Sequence, residues 1–118
     1  MQKALWSELD YLVIDTPPGT GDVAMAIQST VPVDGAIIVT SPQQVSVEDV
    51  SRSLVMFLQW KVPILGVVQN FDGFICNKCG TKTQIFSGNG AARLSEAYGV
   101  DFLGSIPIDP SIAAGGDN

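Results

Sequence analysis

The sequence predicts an α/β fold, a mainly parallel sheet with flanking helices. One observation is that four short apolar runs alternate with segments of helical composition. The other is that the connections are short and carry glycine or proline, which favours right-handed crossovers between parallel strands. The predicted strands are 11–15, 35–40, 63–70 and 100–106, and the predicted helices are 23–30, 46 to about 60, and about 91–98.

Each element has its own signal. Run 11–15 is continuously apolar, which is typical of a strand buried on both faces. Ser46, with Asp49 three residues later, predicts the start of the long helix. Gly99 is expected to end the last predicted helix in a left-handed conformation. Residues 113–118 predict no closing helix. The apolar face of the long helix is expected at Val47, Val50, Leu54, Phe57 and Leu58, which are spaced helically.

Composition limits the class of function. With 118 residues the chain is one domain at most, and its net charge of −6 and pI near 4.2 argue against nucleic acids and anionic membranes as partners. No apolar stretch reaches about 18 residues and the amino terminus lacks a secretory pattern, so we expect a cytoplasmic protein. The absence of histidine excludes acid–base catalysis by imidazole.

Cys76 and Cys79 form the chemically most informative pair. The flanking residues alternate as in a small β-ribbon, and Gly80 allows the backbone to turn around the sulfurs. Lys78 and Lys82 would favour thiolates, so the pair predicts a metal knuckle. Zinc sites and iron–sulfur clusters take about four ligands, which a two-fold dimer would supply. A reduced pair or a local disulfide in an exposed loop is the alternative.

The loop after the first predicted strand carries carboxylates. Ligands of open α/β sheets lie beyond the carboxyl ends of the strands, so Asp15 is placed where a nucleotide-hydrolysing fold holds magnesium-bound water. Pro17 and Pro18 stiffen the path, and the Gly19 amide could sense a γ-phosphate. Asp15 could instead cap a turn. Asn70, at another strand end, could read an adenine edge or could form a turn.

Together these motifs resemble one family, the Mrp/ApbC-type (Nubp-type) iron–sulfur cluster carrier ATPases, relatives of MinD and the nitrogenase iron protein. The similarity extends from about residue 9 to the end. The matching motifs are DTPPGTGD at 15–22, DGAIIVTSPQ at 34–43, PILGVVQN at 63–70, CNKC at 76–79 and LGSIPIDP at 103–110.

The resemblance implies a P-loop NTPase fold, ATP with Mg²⁺, and a [4Fe–4S] cluster that bridges a homodimer or a pair with a homologous subunit. It further implies delivery of the cluster to apo iron–sulfur proteins. It assigns roles residue by residue: Asp15 orders water on magnesium, Gly19 and Asp22 belong to the catalytic switch loop, Asn70 contacts the base, Pro107 and Asp109 lie in a loop near the base, and Cys76 and Cys79 are the bridging metal ligands.

The sequence departs from the family at its start. Nothing in it fits the lysine-bearing Walker A loop, Gly-x-x-x-x-Gly-Lys-Ser/Thr, or the strand expected beside 11–15. We therefore expect residues 1–118 to be the carboxy-terminal, partial domain of such a carrier, with a Cys-x-x-Cys ribbon inserted at about 71–87. Alone it should hydrolyse little ATP. The competing hypotheses are a non-enzymatic dimeric zinc-binding or scaffold module, and a partial product that aggregates through the edge of its first strand.

Overall fold

The computed structural model describes residues 5–19 and 21–117 and confirms the predicted fold class. Helices and strands alternate along most of the chain. The elements in order are α1 (Asp22–Thr30), β1 (Ala36–Thr40), α2 (Gln44–Gln59), β2 (Ile64–Gln69), β3 (Phe74–Ile75), β4 (Lys82–Thr83), α3 (Gly90–Tyr98), β5 (Phe102–Ser105) and α4 (Pro110–Gly116).

The main sheet is parallel, in the order β1-β2-β5. Strand β2 lies in the centre, where Val67 pairs with Ile38 on one side and with Phe102 on the other. Gly66 permits the close approach of β5, since a Cβ atom there would lie 2.7 Å from the carbonyl oxygen of Asp101. The predicted strands 35–40, 63–70 and 100–106 are confirmed as β1, β2 and β5.

The hydrophobic core lies between one face of this sheet and helices α2 and α3. Its buried members are Ile38, Val47, Leu54, Val67, Ala91 and Leu94. Alternate strand residues point to the other face, which no other described residues bury. On that face the apolar side chains are 51–53% exposed: Ile37, Val39, Leu65 and Leu103. The described residues therefore cover only one face of this sheet.

Residues 11–15 do not form the predicted first strand. No described strand pairs with them, and Tyr11 and Val13 are 87% and 91% exposed. A β-strand is defined by backbone hydrogen bonds to a neighbour, so an apolar run without a partner has no ladder to join. The apolar pattern shows that residues 11–15 are hydrophobic, but it does not specify a neighbouring strand with which they could pair.

Two further predictions about helix ends were wrong. Helix α2 begins at Gln44, before Ser46, whose hydroxyl instead accepts a 2.7 Å hydrogen bond from Ser41 Oγ. Helix α4 was not predicted, yet it forms because Asp109 accepts a hydrogen bond from the Ser111 amide at 2.8 Å, and Pro110 occupies the first turn. Gly99 ends α3 with φ +64°, as predicted. Within the described ranges, no helix is both long and apolar enough to span a bilayer.

Candidate functional site

An open cleft of about 230 Å³ lies beyond the carboxyl ends of β1 and β2. Thr40 and Ser41 reach it from the end of β1, and Asn70 from the end of β2. Pro18, from the proline-containing loop, also lines the cleft. Parallel strands place these ends at one edge of the sheet, where ligands of α/β folds bind. The full lining is Pro18, Val39, Thr40, Ser41, Ser46, Asp49, Val50, Asn70 and Phe71.

Asn70 both forms a turn and lines this cleft. Its backbone N–H donates to the Thr40 carbonyl at 2.7 Å, and its side-chain oxygen accepts a hydrogen bond from the Phe71 amide at 2.9 Å. Phe71 has φ +56°, a conformation that this local hydrogen bond supports. The side-chain amide nitrogen of Asn70 is the group that could donate to a ligand in the cleft.

Of the 15–22 motif, Pro18 lines this cleft but the two carboxylates do not. Asp15 is exposed and, like Asp22, is not among the residues that line it. Asp22 occupies the first turn of α1, where a negative charge interacts favourably with the helix dipole. Gly19 is half-buried with φ +98°, which favours glycine at that position. Thr20 lies outside the described residues.

The loop after β5, which carries Pro107 and Asp109, lies beside the cysteine ribbon. The Ile108 amide donates to the Gly73 carbonyl at 2.7 Å, and Phe74 and Ile108 form a parallel bridge. Neither Pro107 nor Asp109 lines the cleft. The Asp109 carboxylate accepts two hydrogen bonds from Ser111, which lower its pKa.

The cysteines lie in the turn of a two-stranded antiparallel ribbon. In it Phe74 pairs with Thr83 and Ile75 pairs with Lys82. The Cys76 amide donates to the Thr81 carbonyl at 3.0 Å, and the Gly80 amide donates to the Cys76 carbonyl at 2.8 Å. Both cysteines are free thiols.

The two cysteines differ in exposure and in acidity. Cys76 is half-buried and Cys79 is exposed. The pKa of the Cys79 thiol is lowered, first by the hydrogen bond with the Thr81 side chain at 3.3 Å, and then by the Thr81 backbone and Cys76. Thiolates are the form that binds metals, so Cys79 is prepared for ligation by its own turn.

Sequence reasoning missed Asp72, which joins β2 to the ribbon. Its carboxylate accepts hydrogen bonds from Lys82 Nζ at 3.0 Å, Gln69 Nε2 at 3.0 Å and Gln84 Nε2 at 3.4 Å. Its pKa is lowered to about 2, mainly by Lys82, then by Ser105, with Gln69 and Gln84 contributing and partial burial opposing. The sequence pattern that could have indicated these contacts is the two-residue spacing of Lys82 and Gln84, which places both side chains on one side of an extended strand.

The ribbon of one chain supplies two sulfur ligands. Among the residues that the structure describes, no group of three or more His, Cys, Asp or Glu side chains is placed to hold a metal ion. A four-coordinate site built on Cys76 and Cys79 therefore needs ligands from outside this part of the chain.

Comparison with known proteins places these features in a family. A family model for the ParA group, described as NUBPL iron-transfer P-loop NTPase, matches residues 1–118. An iron-sulfur cluster carrier protein of Methanocaldococcus jannaschii is 46% identical over 110 residues, which cover 92% of this chain and 38% of that protein. The iron-sulfur cluster transfer protein NUBPL of Mus musculus is 44% identical over 117 residues, covering 99% of this chain and 37% of its own length.

A solved structure agrees with the fold. The nucleotide-binding protein of Archaeoglobus fulgidus, in complex with ADP, superposes with a TM-score of 0.78 at 38% identity, covering 92% of this chain and 45% of that one. The chain thus spans between a third and two fifths of the length of these two curated relatives. By its fold and by a match over its whole length, the chain belongs to the NUBPL iron-transfer P-loop NTPase family.

Proposed function

We propose that this chain is the cysteine-bearing part of an iron–sulfur cluster carrier, which binds a [4Fe–4S] cluster as cargo and passes it to apo-proteins. The observation that carries the proposal is the ribbon with two free cysteines, of which Cys79 is exposed and has a lowered pKa. The names of the relatives support the same activity. An exposed site favours release, because an incoming thiolate can reach the metal.

The cluster would be shared between two chains. Each subunit of a homodimer, or of a pair with a homologous subunit, would contribute Cys76 and Cys79 across a two-fold axis. This accounts for four thiolates without any ligand from elsewhere in the chain. The name of one yeast relative, a probable cytosolic Fe-S cluster assembly factor of Schizosaccharomyces pombe, supports a cytoplasmic location.

We further infer that residues 1–118 contribute one part of a Mg²⁺-ATP site and form a single partial domain, with the ribbon inserted at about 71–87. In this proposal Asp15 orders magnesium-bound water, Gly19 and Asp22 form the switch loop, and Asn70 contacts the base. Pro107 and Asp109 would contribute from the loop after β5. The cleft shared by Pro18 and Asn70 supports this, as does the ADP in the Archaeoglobus structure.

Anaerobic reconstitution with ferrous iron and sulfide tests the cluster proposal. We expect a brown dimer with about four iron atoms per two chains. Cys76→Ala and Cys79→Ala should abolish the visible absorbance, while Asn77→Ala, a change between the two cysteines, should retain it. An unchanged spectrum in Cys76→Ala would contradict the proposal.

Nucleotide turnover provides a separate test. The sequence contains no Gly-x-x-x-x-Gly-Lys-Ser/Thr motif, so we expect negligible ATP hydrolysis by this chain alone. A measurable activity that disappears in Asp15→Ala would show that the phosphates are held by residues of this chain.

A dimeric zinc-binding or scaffold module is the second candidate. The same observation favours it, because a ribbon turn with two thiols also suits tetrahedral zinc. Metal analysis after aerobic and anaerobic purification separates the two. Zinc survives air and is colourless, whereas a labile cluster is lost in air together with its colour.

A further inference from the structure

Asp72 lies where the ribbon joins the body of the protein. Its side chain is only 18% exposed and is contacted from both sides. From the ribbon, Lys82 on β4 and Gln84 just beyond it donate hydrogen bonds. From the body, Gln69 at the end of β2 donates to the same carboxylate. One carboxylate therefore connects the two parts.

Gly73 makes room for this connection. It has φ +79°, and a Cβ atom there would lie 2.7 Å from Cε and 3.3 Å from Cγ of Lys82. The lysine stem thus crosses directly over the Gly73 backbone before its ammonium reaches Asp72. Any larger residue at this position would displace the stem, so the contact depends on the sequence Asp72-Gly73.

Gln69 anchors the body side of the connection. It is 7% exposed, and its side-chain oxygen accepts a hydrogen bond from the Ala91 amide at 3.3 Å. That amide belongs to the first turn of α3, which receives no side-chain hydrogen bond from the preceding Asn89. Gln69 thereby caps α3 with its oxygen and holds Asp72 with its nitrogen, and Ala91 belongs to the buried core.

The two arms of the ribbon are attached differently. The β3 arm is joined to the body by backbone hydrogen bonds, from Asp72 N to the Ile106 carbonyl at 2.9 Å and from Ile108 N to the Gly73 carbonyl at 2.7 Å. The β4 arm is tied by side chains, through Lys82 and Gln84 to Asp72, with a ring contact between Phe71 and Phe86 further along. An isolated two-residue ribbon is unstable in water, so these ties matter.

We propose that Asp72 is a positioning residue for metal ligation, which holds the β4 arm so that Cys79 stays beside Cys76. This proposal rests on the proposed function. Cys79 lies three residues before Lys82, at the end of the tied arm, and Cys76 follows the backbone-anchored arm. Loss of the contact between Lys82 and Asp72 would leave both sulfurs present but would let the distance between them vary.

Electrostatics alone predicts the opposite result, which makes the proposal testable. Asp72→Asn leaves the Lys82 cation without its anionic partner, and an added positive field near the ribbon would favour thiolates and strengthen metal binding. Loss of positioning instead weakens binding and speeds release. The sign of the change in Asp72→Asn therefore separates the two explanations.

The experiment uses the 118-residue chain with Co²⁺ as the probe, whose thiolate absorption reports ligation. We expect Asp72→Asn and Lys82→Gln to release Co²⁺ to a chelator about fivefold faster than the parent, with unchanged stoichiometry. Lys82→Arg should release Co²⁺ as slowly as the parent, because a guanidinium also pairs with a carboxylate. Lys61→Gln, which removes an equal charge from an exposed site elsewhere, and Asp101→Asn should have no effect.

Amide hydrogen exchange without metal provides a second readout. In Asp72→Asn and in Lys82→Gln, the Cys76 and Gly80 amides should exchange about fivefold faster, while the amides of α2 and β2 exchange as in the parent. Unchanged exchange and release in both variants would overturn the proposal. If the parent binds neither Co²⁺ nor a cluster, the proposed function fails, but exchange still decides whether Asp72 holds the ribbon. If Asp72→Asn unfolds, amide exchange in Lys82→Gln decides, because loss of the Lys82 cation would by itself also weaken the binding of Co²⁺ by thiolates.

Discussion

Cys79 Sγ lies 3.3 Å from Oγ1 of Thr81, within the same turn of the ribbon. This contact is the first cause of the lowered pKa of the thiol. Many reactive cysteines acquire their acidity from a helix N-terminus. In this protein the hydroxyl of Thr81, two residues away, lowers the pKa of the Cys79 thiol, and no helix N-terminus is involved. The acidity of Cys79 can therefore be changed by a substitution that leaves the fold intact.

Thr81→Val should raise the pKa of Cys79, because valine keeps the shape of threonine but cannot hydrogen bond to the thiolate. We expect alkylation of Cys79 by iodoacetamide near neutral pH to slow about threefold. The rate measured against pH by mass spectrometry gives the pKa directly. Thr83→Val, at the next position on the same side of the arm, should leave it unchanged. Equal rates in the parent and Thr81→Val would contradict this cause.

The Asp72 carboxylate should make the attachment of the ribbon sensitive to acid. Its pKa is about 2 in the folded protein, below the ordinary 3.8, so its contribution to stability is complete above about pH 4 and is lost as pH falls through about 2. The carboxyl carbon shift of Asp72 should titrate with a midpoint near 2. In Lys82→Gln the midpoint should move upward, and in Lys61→Gln it should not. A midpoint near 4 in the parent would refute the prediction.

Two glycines of the ribbon should differ in their tolerance of alanine. Gly73 and Gly80 both have positive φ, which costs an alanine about 1 kcal/mol at either site. At Gly73 the new Cβ also meets Lys82, whereas at Gly80 nothing lies within 4 Å. Urea unfolding should therefore show a loss of about 1 kcal/mol for Gly80→Ala and about 2–3 kcal/mol for Gly73→Ala. Equal losses would mean that the lysine stem moves aside freely.

Leu54 should contribute more stability than Leu58, the other leucine predicted for the apolar face of α2. It is completely buried against the sheet, so Leu54→Ala should lower the free energy of unfolding by about 3 kcal/mol. Leu58, predicted for the same face, is 45% exposed, and Leu58→Ala should cost about 1 kcal/mol. Urea denaturation of both variants measures the difference. Similar losses would indicate that Leu58 is covered in solution.

Local patterns predicted helices α1, α2 and α3 and three strands, since amphipathic spacing and glycine at helix ends act over a few residues. They were wrong at 11–15, where a strand requires a partner that local sequence cannot specify. The end of α2 was predictable, but its start was not, because Ser46 is engaged by Ser41. The helix after Asp109 could have been predicted from Asp109-Pro110-Ser111, which is a common N-terminal pattern.

By itself the sequence determined the parallel α/β architecture, the cysteine pair and the motifs that mark the family, because each is expressed in spacing along the chain. Only the tertiary structure decided which groups meet. Pro18 and Asn70 line one cleft although 52 positions separate them, whereas Pro107 and Asp109 lie beside the ribbon. Asp72, Lys82 and Gln69 come together because the ribbon folds back onto the end of β2. Such a contact depends on distance in space, and spacing along the chain does not encode it.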